Sequence, residues 1–319
     1  MSHLLKFPEF VSAKQLAELG NWAGSRSGFS RCSDIMKNAN IPRDAAIAGL
    51  FLGLSEYYSG HWEDSARTFS QSFVELSKLQ INSPQANTAL RYKLGTSIAL
   101  QALGNESINW QTVLTQDPQT RLCLGQIPRH DSYSRAVWDH LDKKGPSGSS
   151  LLEAKESTDL ILESFALLSR ADIAVQGLPL ANSDERDISN EIEMVSKSLK
   201  SAERISPLGP EYRLISKWYI GRSLILRGTL FEFNANALMA EGIYRAAADL
   251  IDTPLTPRQA ILKTLSYHKL GNLLLKWEKR ESEGEKLIHM NPLSKAYLQV
   301  MNTYIPEPTM DELNKVLLD

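Results

Sequence analysis

Residues 44–79, DAAIAGLFLGLSEYYSGHWEDSARTFSQSFVELSKL, decide the fold. They divide at Ser59-Gly60 into two halves. The first carries Leu50, Leu52, Leu54 and Tyr57 beside the small Gly53; the second carries Trp62, Ala66, Phe69, Ser72, Phe73 and Leu76. Spacings of three and four residues put the second set on one stripe of a helix. Gly53, Ala66 and Ser72 are small enough for two helices to approach closely. The expectation is a helical hairpin with Asp44 as its N-cap and its turn at Gly60.

Before this unit, residues 9–22 and 27–38 read as short amphipathic helices, the first stopping near Gly20. Ile41-Pro42 is a break, because a residue preceding proline avoids helical geometry. After it, Ser83-Pro84 gives an N-cap with proline at the first helical position. Leu90, Leu94, Ile98 and Leu103 then share a face up to Gly104. The pattern weakens from 105 to 141, where Pro118, Gly125 and Pro128 cut the chain into short helices. The polar run KKGPSGSS at 143–150 has linker composition. The expected division is a helical array over 1–143, a linker or long loop at 144–150, and a second array over 151–319. Helices are expected there at 151–175, 188–205, 212–227, 230–251, 257–280, 284–290, 292–303 and 310–318. In the second of these, Ile188, Ile192, Val195, Leu199 and Ala202 make the inward stripe. No alternating run bounded by turn residues suggests a strand, so the fold class is all-α.

The 319 residues, 42% hydrophobic and 23% charged, describe a folded chain long enough for one large core or two. A formal charge of −2 and the lack of a basic stripe give no case for nucleic acid. No run approaches the ~18 apolar residues of a membrane span. The N-terminal stretch lacks the pattern of a signal peptide, so the expected compartment is the cytoplasm. Cys32 and Cys123, far apart in sequence, read as thiols under reducing conditions.

Chemistry is sparse. None of the six histidines pairs with another at helical zinc spacing. The glycine- and serine-rich 145–150 lacks the lysine of a phosphate loop. His130-Asp131 and Asp139-His140 read as solvated pairs. The six tryptophans, scattered along the chain, read as packing residues whose indole nitrogens meet partners. No catalytic residue, metal or cofactor is expected.

The unit at 44–79 resembles a tetratricopeptide repeat. Leu52-Gly53 stand at the family's large-small pair and Gly60 at its turn. Trp62 follows the turn, and Ser65/Ala66, Phe69 and Ser72 form the small-large-small face. Glu56 departs from the family, which has a large apolar residue there; Tyr57 takes that place in a slightly rotated helix. Echoes of the first helix occur at Leu94-Gly95 with Ile98 and at Ile220-Gly221 with Leu224 and Gly228. The latter is followed by Ala240, Tyr244 and Ala247. Another echo runs through Tyr267, Leu270-Gly271 and Leu274, followed by Leu287 and Met290. The resemblance implies stacked hairpins with an inner groove, used in that family to bind a protein or peptide partner. Some members clamp a terminal carboxylate with lysine and asparagine at the positions held here by His268 and Asn272. Arg222 and Lys276 extend this set, so Arg222, His268, Asn272 and Lys276 are the expected partner-binding residues. The resulting expectation is a non-enzymatic interaction module, adaptor or scaffold. Its alternatives are a structural subunit of an obligate complex and, less favoured, an enzyme on a helical frame.

Overall fold

A computed structural model describes residues 3–79, 83–103, 157–176, 178, 188–293 and 307–318. The weak segment at 105–141, the linker, the loop after 176 and nearly all of the helix expected at 292–303 lie outside them. So do Cys123, Trp110, Trp138, His130 and His140. The described residues hold helices and connecting turns, without a strand. After a 3₁₀ turn at His3–Lys6 come α1 (Pro8–Glu18), α2 (Trp22–Asn38), α3 (Pro42–Tyr58), α4 (Trp62–Leu79) and α5 (Pro84–Ala102). They are followed by α6 (Ser157–Gln176), α7 (Ser189–Ile205), α8 (Pro210–Phe233) and α9 (Ala237–Asp249). The last three are α10 (Pro257–Leu274), α11 (Glu281–Met290) and α12 (Met310–Leu318). Consecutive helices pack on one another from α1 to α5 and again from α6 to α11. The all-helical array read from the sequence is therefore the architecture.

Three hairpins share one register: Ala13, Gly20, Ser25, Phe29 and Cys32 in α1–α2; Gly53, Gly60, Ser65, Phe69 and Ser72 in α3–α4; Gly228, Ala235, Ala240, Tyr244 and Ala247 in α8–α9. Their turns are built alike. Gly20, Gly60 and Ala235 take φ of +79°, +84° and +55°, and the next N–H reaches back across the helix end. These bonds are Asn21 N to Leu16 O (2.8 Å), His61 N to Glu56 O (2.9 Å) and Asn236 N to Phe231 O (2.8 Å). They satisfy carbonyls that a helix end leaves open. The small residue of each first helix marks a close approach. A Cβ on Gly53 would sit 2.6 Å from the Phe69 ring, and one on Gly228 2.5 Å from the Tyr244 ring.

This register corrects the sequence reading in several places. Gly228 does not break the helix expected to end at 227; it lies inside α8, and the turn comes at Ala235. The true counterpart of Gly53 is thus Gly228 rather than Gly221, whose own role is to admit Leu262 of α10. Trp22 opens α2 instead of closing α1, because Gly20 turns the chain and the Asn21 side chain caps Gly24 N at 3.0 Å. Asp44 is not the N-cap of α3. That place belongs to Ile41, and the Asp44 carboxylate in the first turn accepts the His3 N–H at 2.9 Å. In α7 Ile192 is exposed, and serines replace it on the inward face: Ser198 meets Ser223 at 2.9 Å and Ser201 meets Ser164 at 2.8 Å. Ser25 and Ser55 make the same contact between α2 and α3 at 2.7 Å. A hydroxyl pair permits close helices without leaving a buried polar group unmatched, so polar letters here mark core.

Two apolar clusters form the interior. One joins α1–α5 with α12; the other joins the end of α5 with α6–α10. Helix α5 serves both, through Ala89 and Tyr92 in the first and Ile98 and Ala99 in the second. Further ties cross between the halves: α5 packs on α10, and Trp62 Nε1 donates to Leu255 O at 3.2 Å.

Candidate functional site

The interior faces of α3, α5, α8 and α10 form a groove, and the chain's own residues 307–318 lie in it. Thr309 caps α12, accepting from Glu312 N at 3.4 Å in a Thr-x-x-Glu arrangement. Met310, Leu313, Val316 and Leu317, spaced along one helix face, are buried in the N-terminal cluster. Polar contacts then come from each wall. From α3, Tyr58 Oη donates to Pro308 O at 2.6 Å. From α5, Tyr92 Oη donates to Glu312 and accepts from Thr309 N, and Arg91 pairs with Glu312. From α8, Tyr212 Oη donates to Asp311 Oδ2 at 2.6 Å, and Glu211 Oε1 accepts from Met310 N at 3.3 Å. From α10, Arg258 Nη1 lies 3.6 Å from Glu307 Oε1, its guanidinium over the Trp218 ring at 5.2 Å.

Burial governs the electrostatics. The hydroxyls of Tyr57, Tyr58 and Tyr92 are pushed well above the ordinary tyrosine range, chiefly by desolvation. The Glu307 carboxyl is raised by burial, with Arg258 opposing. Glu211 is raised the same way, while the α12 N–H it accepts pulls it back.

The expected partner-binding residues gather at the far end of α10. Arg222 is 6% exposed and bonded to Asp172 of α6 at 3.0 Å, so its charge is neutralised inside the protein. His268 Nδ1 and Asn272 Nδ2 are 3.0 Å apart. Lys276 does not continue their helix face. Helix α10 ends at Leu274, with Lys276 N bonded to Leu273 O at 3.1 Å and Trp277 N to Leu274 O at 3.0 Å, so the stretch to 280 is turn. Its ammonium instead meets Glu232 at the end of α8, at 2.6 Å. Lys269, which the sequence did not single out, sits among these groups. Burial pushes its ammonium down, with Glu232 and Asp172 opposing and Arg222 and Lys276 adding to the depression. Burial and the Lys269 charge lower His268 as well. Arg258, Leu262, Leu265, Lys269 and Asn272 recur at spacings of four and three, so Lys269 and Asn272 lie on the same side of α10 as the Arg258 anchor.

A second concavity of about 670 Å³ opens between α2, α3 and α4, floored by Ala45, Ala46 and Gly49 and rimmed by Lys37, Gln71 and Glu75. Cys32 is buried and free, its thiol pushed up to about 11 by desolvation. No group of His, Cys, Asp or Glu able to hold a metal occurs among the described residues. No helix among them is long and apolar enough to cross a membrane. No protein-family model matches the chain, and neither a curated protein nor a solved structure matches it.

Sequence reasoning did not find Arg91, Tyr92, Tyr212 and Arg258 as groove residues. The available signal was the capping box Thr309-Met310-Asp311-Glu312 ahead of an apolar stripe. It marks a short helix but not where that helix docks.

Proposed function

We propose that the protein is a non-enzymatic, tetratricopeptide-like interaction module that binds a segment of a partner protein along its inner groove. The observation that carries this reading is the groove's present occupant, a short acidic-headed helix held by side chains from four helices. A surface that holds its own segment this way has the tyrosines and arginines needed to hold another. The cation cluster extends the same wall, so His268, Asn272 and Lys276 are proposed to meet a partner's carboxylates, with Arg222 supporting them from within. The test is affinity capture with the full chain and its Lys276→Glu variant across a salt series. Binding should weaken with salt and weaken further in the variant, as charge-assisted contacts do. Binding unchanged on both counts moves the partner off this surface.

A second reading, a structural subunit of an obligate assembly, draws on exposed apolar side chains: Leu238 of α9 is 74% exposed and its neighbour Met239 49%. Sizing of the purified chain separates the two. The module stays monodisperse alone, whereas the subunit associates until a partner covers it.

A further inference from the structure

The contacts of residues 307–318 are extensive but badly matched in one respect. Among the described residues, five buried side-chain atoms lack a hydrogen-bond partner, and four of them lie in this segment or its anchor: Arg258 Nε, both Glu307 carboxylate oxygens and Asn314 Oδ1. Glu307 and Arg258 are each buried, yet their closest approach is 3.6 Å, too long for a good charge-assisted hydrogen bond. Burial also raises the Glu307 carboxyl, with Arg258 opposing. A permanent core element has its buried polar atoms paired; here the mismatches concentrate on one docked segment and its anchor. The occupant carries three unmatched acceptors, and the groove one unmatched donor, Arg258 Nε.

We infer that residues 307–318 are an internal ligand of the inner groove, displaced by a partner-protein segment of the same chemistry. Such a segment has an extended acidic residue leading into a short helix, two carboxylates at that helix's start, and an apolar stripe. The inference rests on the reading of the array as an interaction module, and adds that the free chain occludes its own site. Charge complementarity selects the occupant. Arg258 receives the leading carboxylate and Arg91 the one on the helix, while Tyr92 and Tyr212 donate to the helix's first turn.

The probe is a fluorescent synthetic peptide of residues 305–319. It is titrated against the full chain and against the full chain carrying Leu313→Asp and Val316→Asp, which removes the apolar hold on the segment. The peptide should bind the variant at least 10-fold more tightly than the parent chain. Adding Arg91→Glu should cost about 10-fold, and a peptide with Glu312→Lys should restore binding to that chain. Should the double variant lose its cooperative thermal transition, the milder Glu312→Lys chain is read by the same criterion. Peptide binding no tighter than to the parent, in a folded variant, overturns the inference. So does a dimer whose groove holds the other copy's segment. Affinity capture separates this failure from failure of the module itself. A partner still captured by chains whose groove binds no peptide leaves the module standing, whereas chains that capture nothing in either state sink both.

Discussion

The hairpins α3–α4 and α8–α9 have the same spacing of small and aromatic residues but fill several equivalent places differently. Phe69 becomes Tyr244, the left-handed Gly60 becomes Ala235, and the pair Glu56 and Thr68 becomes Phe231 and Ile243. The turn is common to both, a left-handed residue and the bond that reaches back over it. Register is therefore set by the glycine and the aromatic ring that seats on it. The other positions tolerate polar or apolar residues provided that each polar atom finds a partner. Tyr244 shows the condition: it is fully buried, and its hydroxyl bonds Glu232 at 3.0 Å and Thr229 at 3.2 Å.

The largest effect should come from removing the rings. Phe69→Ala and Tyr244→Ala should each cost about 3–5 kcal/mol in denaturant unfolding, since each empties a fully buried site against a glycine. Tyr244→Phe isolates the hydroxyl and should cost about 0.5–1.5 kcal/mol. A loss in one hairpin much smaller than in the other would mean that their shared spacing conceals unequal cores.

The turns provide a smaller test of opposite sign. Gly60 has open space around its Cβ position, so Gly60→Ala introduces only backbone strain, about 1 kcal/mol. Ala235 already bears that strain at φ +55°, and Ala235→Gly should return up to about 1 kcal/mol, reduced by the greater freedom of glycine in the unfolded chain. Thermal midpoints moving the same way in both variants would break the equivalence.

How much of this was legible follows from where the signal is local. The hairpin at 44–79 could be read because its glycine, turn and aromatic stripe all lie within one stretch. The α1–α2 hairpin carries the same signs, including Gly20-Asn21-Trp22 beside Gly60-His61-Trp62, but its small residue is Ala13 instead of glycine. The end of α10 was not legible. Nothing between Leu274 and Arg280 breaks a helix by residue type, yet the chain turns there, with Lys279 at φ +72° and Gly284 of α11 close against Gly271. The groove was hidden for a different reason: its walls come from four helices, and its occupant from the last residues of the chain. Arg222 shows the cost, since spacing placed it on a face while Asp172, fifty residues earlier, binds it inside.

The smallest expected effect concerns the polar pair that distinguishes α3–α4. Glu56 is 5% exposed, accepts from Thr68 Oγ1 at 2.7 Å and faces Arg26 at 3.5 Å, with Asp64 also near. Burial raises its carboxyl above the ordinary value, outweighing Thr68 and Arg26. A raised carboxyl is held protonated more firmly in the folded chain than in the unfolded one. Its stabilising contribution is complete below the unfolded value and is lost as pH rises through the folded one. Glu56→Gln keeps an acceptor for Thr68, and Arg26 keeps Asp64 at 3.2 Å. The variant should therefore match the parent under acid conditions, exceed it slightly at neutral pH, and show a shallower decline between the two. Glu163, Glu211 and Glu307 are raised likewise, so the decline should lessen rather than vanish. Unfolding curves at several pH values decide the matter. An unchanged slope with a less stable variant at neutral pH would mean that Glu56 is charged in the folded protein and that its pairing with Arg26 outweighs the cost of burying it.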